Sequence, residues 1–185
     1  DEMSYSIDSF EVLGDDADPS DPHITLSTPT TGTSLAPAVG KVAEARLEVH
    51  HGCGQGLFAG TRDQTVALRL AWRGDALPAI EPASFEMGPY ALPHEDWEGE
   101  VLVGADLYAN WCDDVVVAGE PEPDVAETWL VTGGEVAITV HPGRGPCGPL
   151  VEGTVTDLEV RSPDGATVTI PAVDLLNDAW GCMAG

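Results

Sequence analysis

Basic residues are scarce in this chain of 185 residues. Seven lysines and arginines stand against 32 aspartates and glutamates, which gives a formal net charge of -25 at pH 7. So much negative charge repels phosphate groups, and no nucleic-acid partner and no binding to anionic lipid surfaces are expected. The negative charge instead favours the binding of cations or of basic partners, or adaptation to a salty medium.

The chain also lacks the motifs of common enzyme sites. It has no GxSxG turn for a nucleophilic serine and no P-loop. The segment HEDWEGE lacks the second histidine of a metalloprotease helix, because that position holds Glu98. No apolar run is long enough to cross a bilayer. We therefore expect no catalytic site, no required cofactor and no transmembrane segment.

The four cysteines stand singly, with no CxxC pair that would indicate a zinc or redox site. An even number at wide spacing predicts two disulfides and an oxidising compartment, so the protein is expected to be secreted or to belong to the cell envelope. The opening DEMSYSID is typical of a mature N-terminus, with an export signal expected upstream. Three pairings are possible, of which we favour Cys53–Cys112 and Cys147–Cys182.

Apolar and polar residues alternate with a period of two along much of the chain, which predicts β-strands. A hairpin is predicted with its turn at Ser162–Gly165, and a change of apolar parity predicts a β-bulge near Thr156 or Asp157. Helical spacing occurs in PAVDLLNDAW, which predicts one or two helical turns near the C-terminus. The alternating segments are 45–51, 65–72, 100–111, 135–140 and 153–171.

This pattern predicts an all-β fold, an antiparallel Ig-like β-sandwich of about seven to nine strands. A partly closed barrel is the alternative. Residues 39–185 are expected to form the domain, after an acidic lead-in over residues 1–38 that holds a possible first strand. Within the lead-in, GDDADPSDP is typical of an extended acidic linker, and a calcium loop is the other interpretation.

Residues 21–37, DPHITLSTPTTGTSLAP, support the sandwich through a resemblance. The segment resembles the opening of bacterial Ig-like domains and of CopC-like copper-binding sandwiches, which begin with a short strand and a P-x-x-G turn, here Pro29–Gly32. In CopC-like proteins a histidine near that strand binds copper, and the resemblance implies this role for His23. The family's histidine lies at or near the mature N-terminus, whereas His23 follows the acidic lead-in.

The stretch EVHHGCGQG can be a metal site, a nucleophile turn or a crosslinked strand end. His50 and His51 point to opposite faces of a strand, so at most one of them can bind a given ion. Cys53 as a nucleophile lacks a following helix, whose N-terminus would stabilise a thiolate. We favour the disulfide, with His51 as a core-side or edge histidine and His50 facing solvent.

Loops carry the remaining candidate ligands. Acidic loop residues that meet at one end of a sandwich can bind calcium, so calcium is a possible cofactor. Trp97 and Tyr90 lie in loop-like contexts, where exposed rings can stack on a sugar. The candidate metal ligands are His23, His50, His94, Asp113 and Asp114.

Together these features predict an exported binding or structural module whose partner is a protein or glycan at the cell surface. A periplasmic protein that handles copper or calcium and a carbohydrate-binding module are the alternatives.

Overall fold

The computed structural model describes residues 36–75, 83–109, 111–112, 122–145 and 148–181. The chain divides into two units, Asp1–Thr33 and Ser34–Gly185, and everything described below belongs to the second. Within the described residues no helix is both long enough and apolar enough to span a membrane. The domain boundary predicted after residue 38 stays a prediction, because residues 1–35 lie outside the described part.

One helix and eight strands make up the described fold. The helix, α1, was not anticipated, and it buries Val42 against the strands. In chain order the elements are α1 (Ala36–Ala43), β1 (Val49–Cys53), β2 (Gly56–Gly60), β3 (Val66–Trp72), β4 (Phe85–Ala91), β5 (Trp97–Ala105), β6 (Asp124–His141), β7 (Leu150–Arg161) and β8 (Thr167–Asn177).

All eight strands belong to one antiparallel sheet. Seven of them follow each other in the order β1-β2-β3-β5-β6-β7-β8, and β4 lies off this path and pairs with β6. β6 is 18 residues long and has two partners on one edge. Its first part, 124–130, pairs with β5, and its second part, 135–140, pairs with β4. Gly133 and Gly134 lie between the two parts, where the register with β7 also shifts.

The sheet curls until its two ends meet. β8 contacts both β1 and β2, and a short parallel bridge joins Gly54 to Trp180. The buried Asn177 side chain donates from Nδ2 to the Gly56 carbonyl oxygen at 2.7 Å. The all-β antiparallel prediction is therefore confirmed. The Ig-like sandwich is not, because the described strands form a single curled sheet that resembles half a barrel.

The main core lies inside this curl. Alternate residues of each strand point inward, as in β3, where Val66, Leu68, Leu70 and Trp72 are all buried. Trp129 of β6 is fully buried among them. A second, smaller cluster of Ala67, Leu102 and Leu107 lies apart from this core, with Tyr108 and Trp111 packed against it. In β3 and β5, Ala67 and Leu102 alternate with the core residues, so this cluster covers the outer face of the sheet.

The predicted hairpin and bulge are confirmed. β7 and β8 pair along their lengths around the Ser162–Gly165 turn, in which the Ser162 hydroxyl accepts a hydrogen bond from the Ala166 amide at 2.8 Å. Asp157 has a φ of 49°, and the register between β6 and β7 shifts at this point.

The predicted C-terminal helical turn is wrong. Residues 171–177 continue β8, and Val173, Leu175 and Asn177 are buried at a period of two. The helix-like spacing of Val173, Leu176 and Trp180 does not correspond to one buried face. Leu176 lies off the buried face of β8, and Trp180 belongs to the segment after the strand.

A disulfide joins Cys53, the last residue of β1, to Cys112, with Cα atoms 5.5 Å apart, as the sequence predicted. Cys147 and Cys182 lie outside the described residues. Two residues near them in the sequence, Gly148 and Trp180, lie close together. A Cβ atom added at Gly148 would clash with the carbonyl oxygen of Trp180.

Candidate functional site

Three aromatic side chains lie in a row on the outer face of β2, β3 and β5, and an arginine lies at the end of the row. The ring centroids of Tyr108 and Trp111 are 4.4 Å apart, and those of Trp111 and Phe58 are 4.8 Å apart at an interplanar angle of 29°. The guanidinium carbon of Arg69 lies 5.9 Å from the Phe58 centroid, within the range of a cation–π contact. We call Tyr108, Trp111 and Phe58 the aromatic row.

Strand alternation places Phe58 and Arg69 on this face. Phe58 stands between the buried Leu57 and Ala59, so its side chain points away from the core. It is the direct cross-strand partner of Arg69, and such partners lie about 5 Å apart.

The other two rings come from the segment 106–112, which follows β5. Both ends of this segment have left-handed backbone, with φ values of 50° at Asp106 and 66° at Cys112. The disulfide to Cys53 ties its end to β1, and the Tyr108 hydroxyl donates to the Thr61 carbonyl oxygen. Burial raises the pKa of Tyr108 to about 12. The aromatic row is therefore held to the sheet at two points.

Two clefts flank the contact between Phe58 and Arg69. The larger, about 530 Å³, runs along Ala71 and Arg73 toward Gly54 and Gly56. The smaller, about 460 Å³, lies toward Trp111, Leu102 and the disulfide. Phe58 and Arg69 line both clefts, so a ligand in either one meets an aromatic ring and a guanidinium group.

The larger cleft is electrically balanced although the chain is strongly acidic. Arg69 contacts Glu100 with 3.0 Å between nitrogen and oxygen, and the Arg73 Nε donates to Glu98 at 2.8 Å. Exposed pairs of this kind stabilise a fold by about 0–1 kcal/mol. Their consequence here is chemical, since they set hydrogen-bond donors and acceptors beside the aromatic row without a net charge.

The predicted metal ligands do not come together in the described structure. The half-buried His50 places Nε2 at 3.3 Å from the Leu47 carbonyl oxygen, and His94 accepts at Nδ1 from the Asp96 amide at 3.1 Å. Among the residues that the structure describes, no three His, Cys, Asp or Glu side chains are grouped to hold a metal ion. The other three candidates, His23, Asp113 and Asp114, lie outside those residues.

His50, predicted to be the solvent-facing histidine of β1, is not the more exposed of the two. His51 is exposed, whereas His50 is half-buried. The inward position next to His51 is occupied by Gly52, where a Cβ atom would clash with the buried Asn177. The packing of β8 against β1, which no local pattern reveals, decides which residues of β1 face inward.

Trp97 is not an exposed stacking ring, which corrects the sequence interpretation. It is 4% exposed, because it begins β5 directly opposite Trp72 and shares the inward face with it. Tyr90 is half-buried, with its ring 4.9 Å from the His94 ring and 5.8 Å from the Trp72 ring. These aromatic side chains pack mainly on one another.

Phe58, Arg69 and Trp111 were missed by the sequence interpretation as members of one site. A signal was present for the first two, because each stands alone as a large side chain between small or inward-facing neighbours on its strand. Trp111 carried no such signal, since its position depends on how the segment 106–112 folds back over the sheet.

Comparison with protein-family models, curated proteins and solved structures finds no match to this chain.

Proposed function

We propose that this protein is an exported binding module and that the larger cleft, which Phe58 of the aromatic row lines, binds an uncharged glycan. The observation that carries the proposal is the aromatic row beside two arginine–glutamate pairs, on a face tied down by a disulfide. The same disulfide supports export, because such bonds persist in oxidising compartments.

Sugars are recognised by both kinds of group found here. Their C–H faces pack on aromatic rings, and their hydroxyl groups donate to carboxylates and accept from guanidinium groups. Phe58 supplies a ring at the wall of the cleft, and Arg69 and Glu100 supply a donor and an acceptor beside it.

The charge of the molecule supports an uncharged ligand. A formal net charge of -25 repels anionic polymers, whereas the paired arginines leave little net attraction for cations in this cleft. The metal-handling alternative gains no support from the described residues, where His50 and His94 make separate backbone contacts.

A glycan array followed by calorimetry on the best ligand tests the proposal. We expect Phe58→Ala and Arg69→Ala to weaken binding by on the order of tenfold or more, since each removes a group at the centre of the contact. The matched control is Arg144→Ala, which removes an exposed arginine of the turn after β6, away from both clefts.

The control variant should bind like the unmodified protein. The proposal is wrong if no uncharged glycan binds, or if one binds and both cleft variants retain its full affinity.

A further inference from the structure

Ser84, His141 and Glu152 form a hydrogen-bonded chain on another part of the outer face. The Ser84 Oγ lies 2.8 Å from the His141 Nδ1, and the His141 Nε2 lies 2.8 Å from the Glu152 Oε2. The side chain of His141 is 13% exposed, whereas that of Glu152 is 56% exposed and the serine contact is open to solvent. We call these residues the Ser84 triad.

Strand register brings the three residues together although they are far apart in the sequence. Phe85 pairs with Val140, so Ser84, one residue before β4, lies beside His141 at the end of β6. On the other side of β6, Thr139 pairs with Glu152 of β7, which makes Glu152 a diagonal neighbour of His141. Val140 and Val151 are buried, so their neighbours His141 and Glu152 point outward.

The hydrogen bonds define where the protons lie. A carboxylate can only accept, so the Glu152 contact places the hydrogen of a neutral His141 on Nε2. The lone pair on Nδ1 then accepts from the Ser84 hydroxyl. Serine, base and orienting carboxylate thus have the connectivity of an activated nucleophile.

We propose that the Ser84 triad hydrolyses carboxylic esters. The Ser84 oxygen attacks the ester carbonyl carbon while its proton passes to the His141 Nδ1. The imidazolium, stabilised by Glu152, gives that proton to the departing alkoxide, which leaves an acyl-serine and a free alcohol. A water molecule then loses a proton to His141 and attacks the acyl carbon; the bond to Ser84 breaks, the carboxylic acid leaves, and the His141 imidazolium returns its proton to the Ser84 oxygen.

A neighbouring groove of about 350 Å³ suggests which esters fit. It runs between β4, β6 and β7, is lined by Glu86, Gly88, Ala137, Thr139 and Thr154, and shares Glu152 with the triad. Its two carboxylates, Glu86 and Glu152, repel anionic substrates, so the proposal is for uncharged esters. The groove lies on other strands than the proposed glycan cleft, and the two proposals are independent.

Hydrolysis of p-nitrophenyl acetate and labelling with a fluorophosphonate probe test the proposal on the full chain. We expect the probe to attach to Ser84, as peptide mass spectrometry will show, and Ser84→Ala to lose both labelling and turnover. Thr169→Ala removes an exposed hydroxyl from β8 and serves as the control that keeps both.

Two further variants separate catalysis from a surface hydrogen bond. His141→Gln removes the base and should slow labelling by about 100-fold or more. Glu152→Gln tests a positioning residue, and it should lower kcat by about tenfold or more with KM and the melting temperature unchanged.

The proposal is overturned if the probe does not label Ser84 in the unmodified protein. It is equally overturned if His141→Gln, still folded by circular dichroism, is labelled at the same rate.

Discussion

Single polar side chains hold distant parts of this chain together. Tyr108 reaches from the segment 106–112 to the Thr61 carbonyl oxygen, and Asn177 reaches from β8 to the Gly56 carbonyl oxygen. The Asn177 contact is buried and the Tyr108 contact is half-buried, and a buried polar group that loses its partner costs about 1–3 kcal/mol. Residues of this kind should respond to substitution more strongly than their exposed neighbours.

Tyr108 should titrate above the usual range for tyrosine. Burial raises its pKa to about 12 from a reference of 10.0, and the nearby Asp63 acts in the same direction. The stability linked to this shift is fully present below pH 10.0 and is lost as the pH rises toward about 12, because the unfolded chain releases the proton first. Absorbance at 295 nm, compared with that of Tyr108→Phe, measures the effect. A difference curve centred at the reference pKa would contradict it.

Asn177→Ala should lower the free energy of unfolding by about 2–3 kcal/mol, since it leaves the buried Gly56 carbonyl and the half-buried Ala179 amide without this partner. The Asn177 side chain donates to the Gly56 carbonyl oxygen and accepts from the Ala179 amide at 2.8 Å. Urea unfolding measures the change. Asp178→Ala, at the exposed next position, is the control, and an equal loss in both variants would show that these hydrogen bonds contribute little.

At the scale of elements, β6 organises the sheet. Its two halves pair with different strands, and the backbone between them bends at Gly134, where φ is 118°. A Cβ atom at Gly134 would lie 3.0 Å from the Thr156 carbonyl oxygen and 3.1 Å from that of Asp157. The bend thus lies between the part of β6 that pairs with β5 and the part that pairs with β4.

Gly134→Ala should therefore destabilise the protein by about 3 kcal/mol or more, through backbone strain together with this crowding. The matched control is Gly143→Ala, at a φ of 68° with nothing within 4 Å of the added atom. That variant should cost about 1 kcal/mol, the strain alone. Chemical unfolding of both variants measures the difference, and equal losses would mean that the bend tolerates a side chain.

At the scale of the molecule, a formal net charge of -25 opposes folding through repulsion between like charges. The curled sheet contributes a continuous core, and the Cys53–Cys112 disulfide closes a loop over a sequence separation of 59. The crosslink restricts the unfolded chain, whose charges would otherwise drive it to expand.

Replacing Cys53 and Cys112 together by alanine should lower the free energy of unfolding by about 4 kcal/mol, the chain-entropy value for a loop of this length. Denaturant unfolding measures it. The loss should shrink when salt is added to both proteins, because screening weakens the repulsion that the crosslink opposes. A loss below about 1 kcal/mol would show that the unfolded chain is already compact.

A second crosslink, Cys147–Cys182, stays a prediction that the contact between Gly148 and Trp180 supports. Peptide mapping of the unreduced protein should recover a fragment that joins these two cysteines. Two free thiols after denaturation without reductant would refute the pairing.

The fold class was predictable from the sequence to a large extent. Alternation in TVALRLAW and in the β7–β8 hairpin is a local property, and the buried residues of these strands follow it. Local patterns failed where distant packing decides, as for His50, whose face depends on β8, and for Trp97, whose burial depends on pairing with Trp72. The candidate sites were less predictable, because each one joins residues from several strands.

The sequence by itself determined the negative charge, the inward-facing residues of β3 and β7, and an even number of cysteines. Charge, side-chain alternation and cysteine number act through composition and near neighbours, so they can be recognised in one dimension. Only the tertiary structure decided that the sheet curls into one half-barrel, that Phe58, Trp111 and Arg69 lie in one row, and that Ser84 meets His141 and Glu152. These arrangements depend on register between strands that are far apart in the chain, and register is set by the packing of the whole sheet.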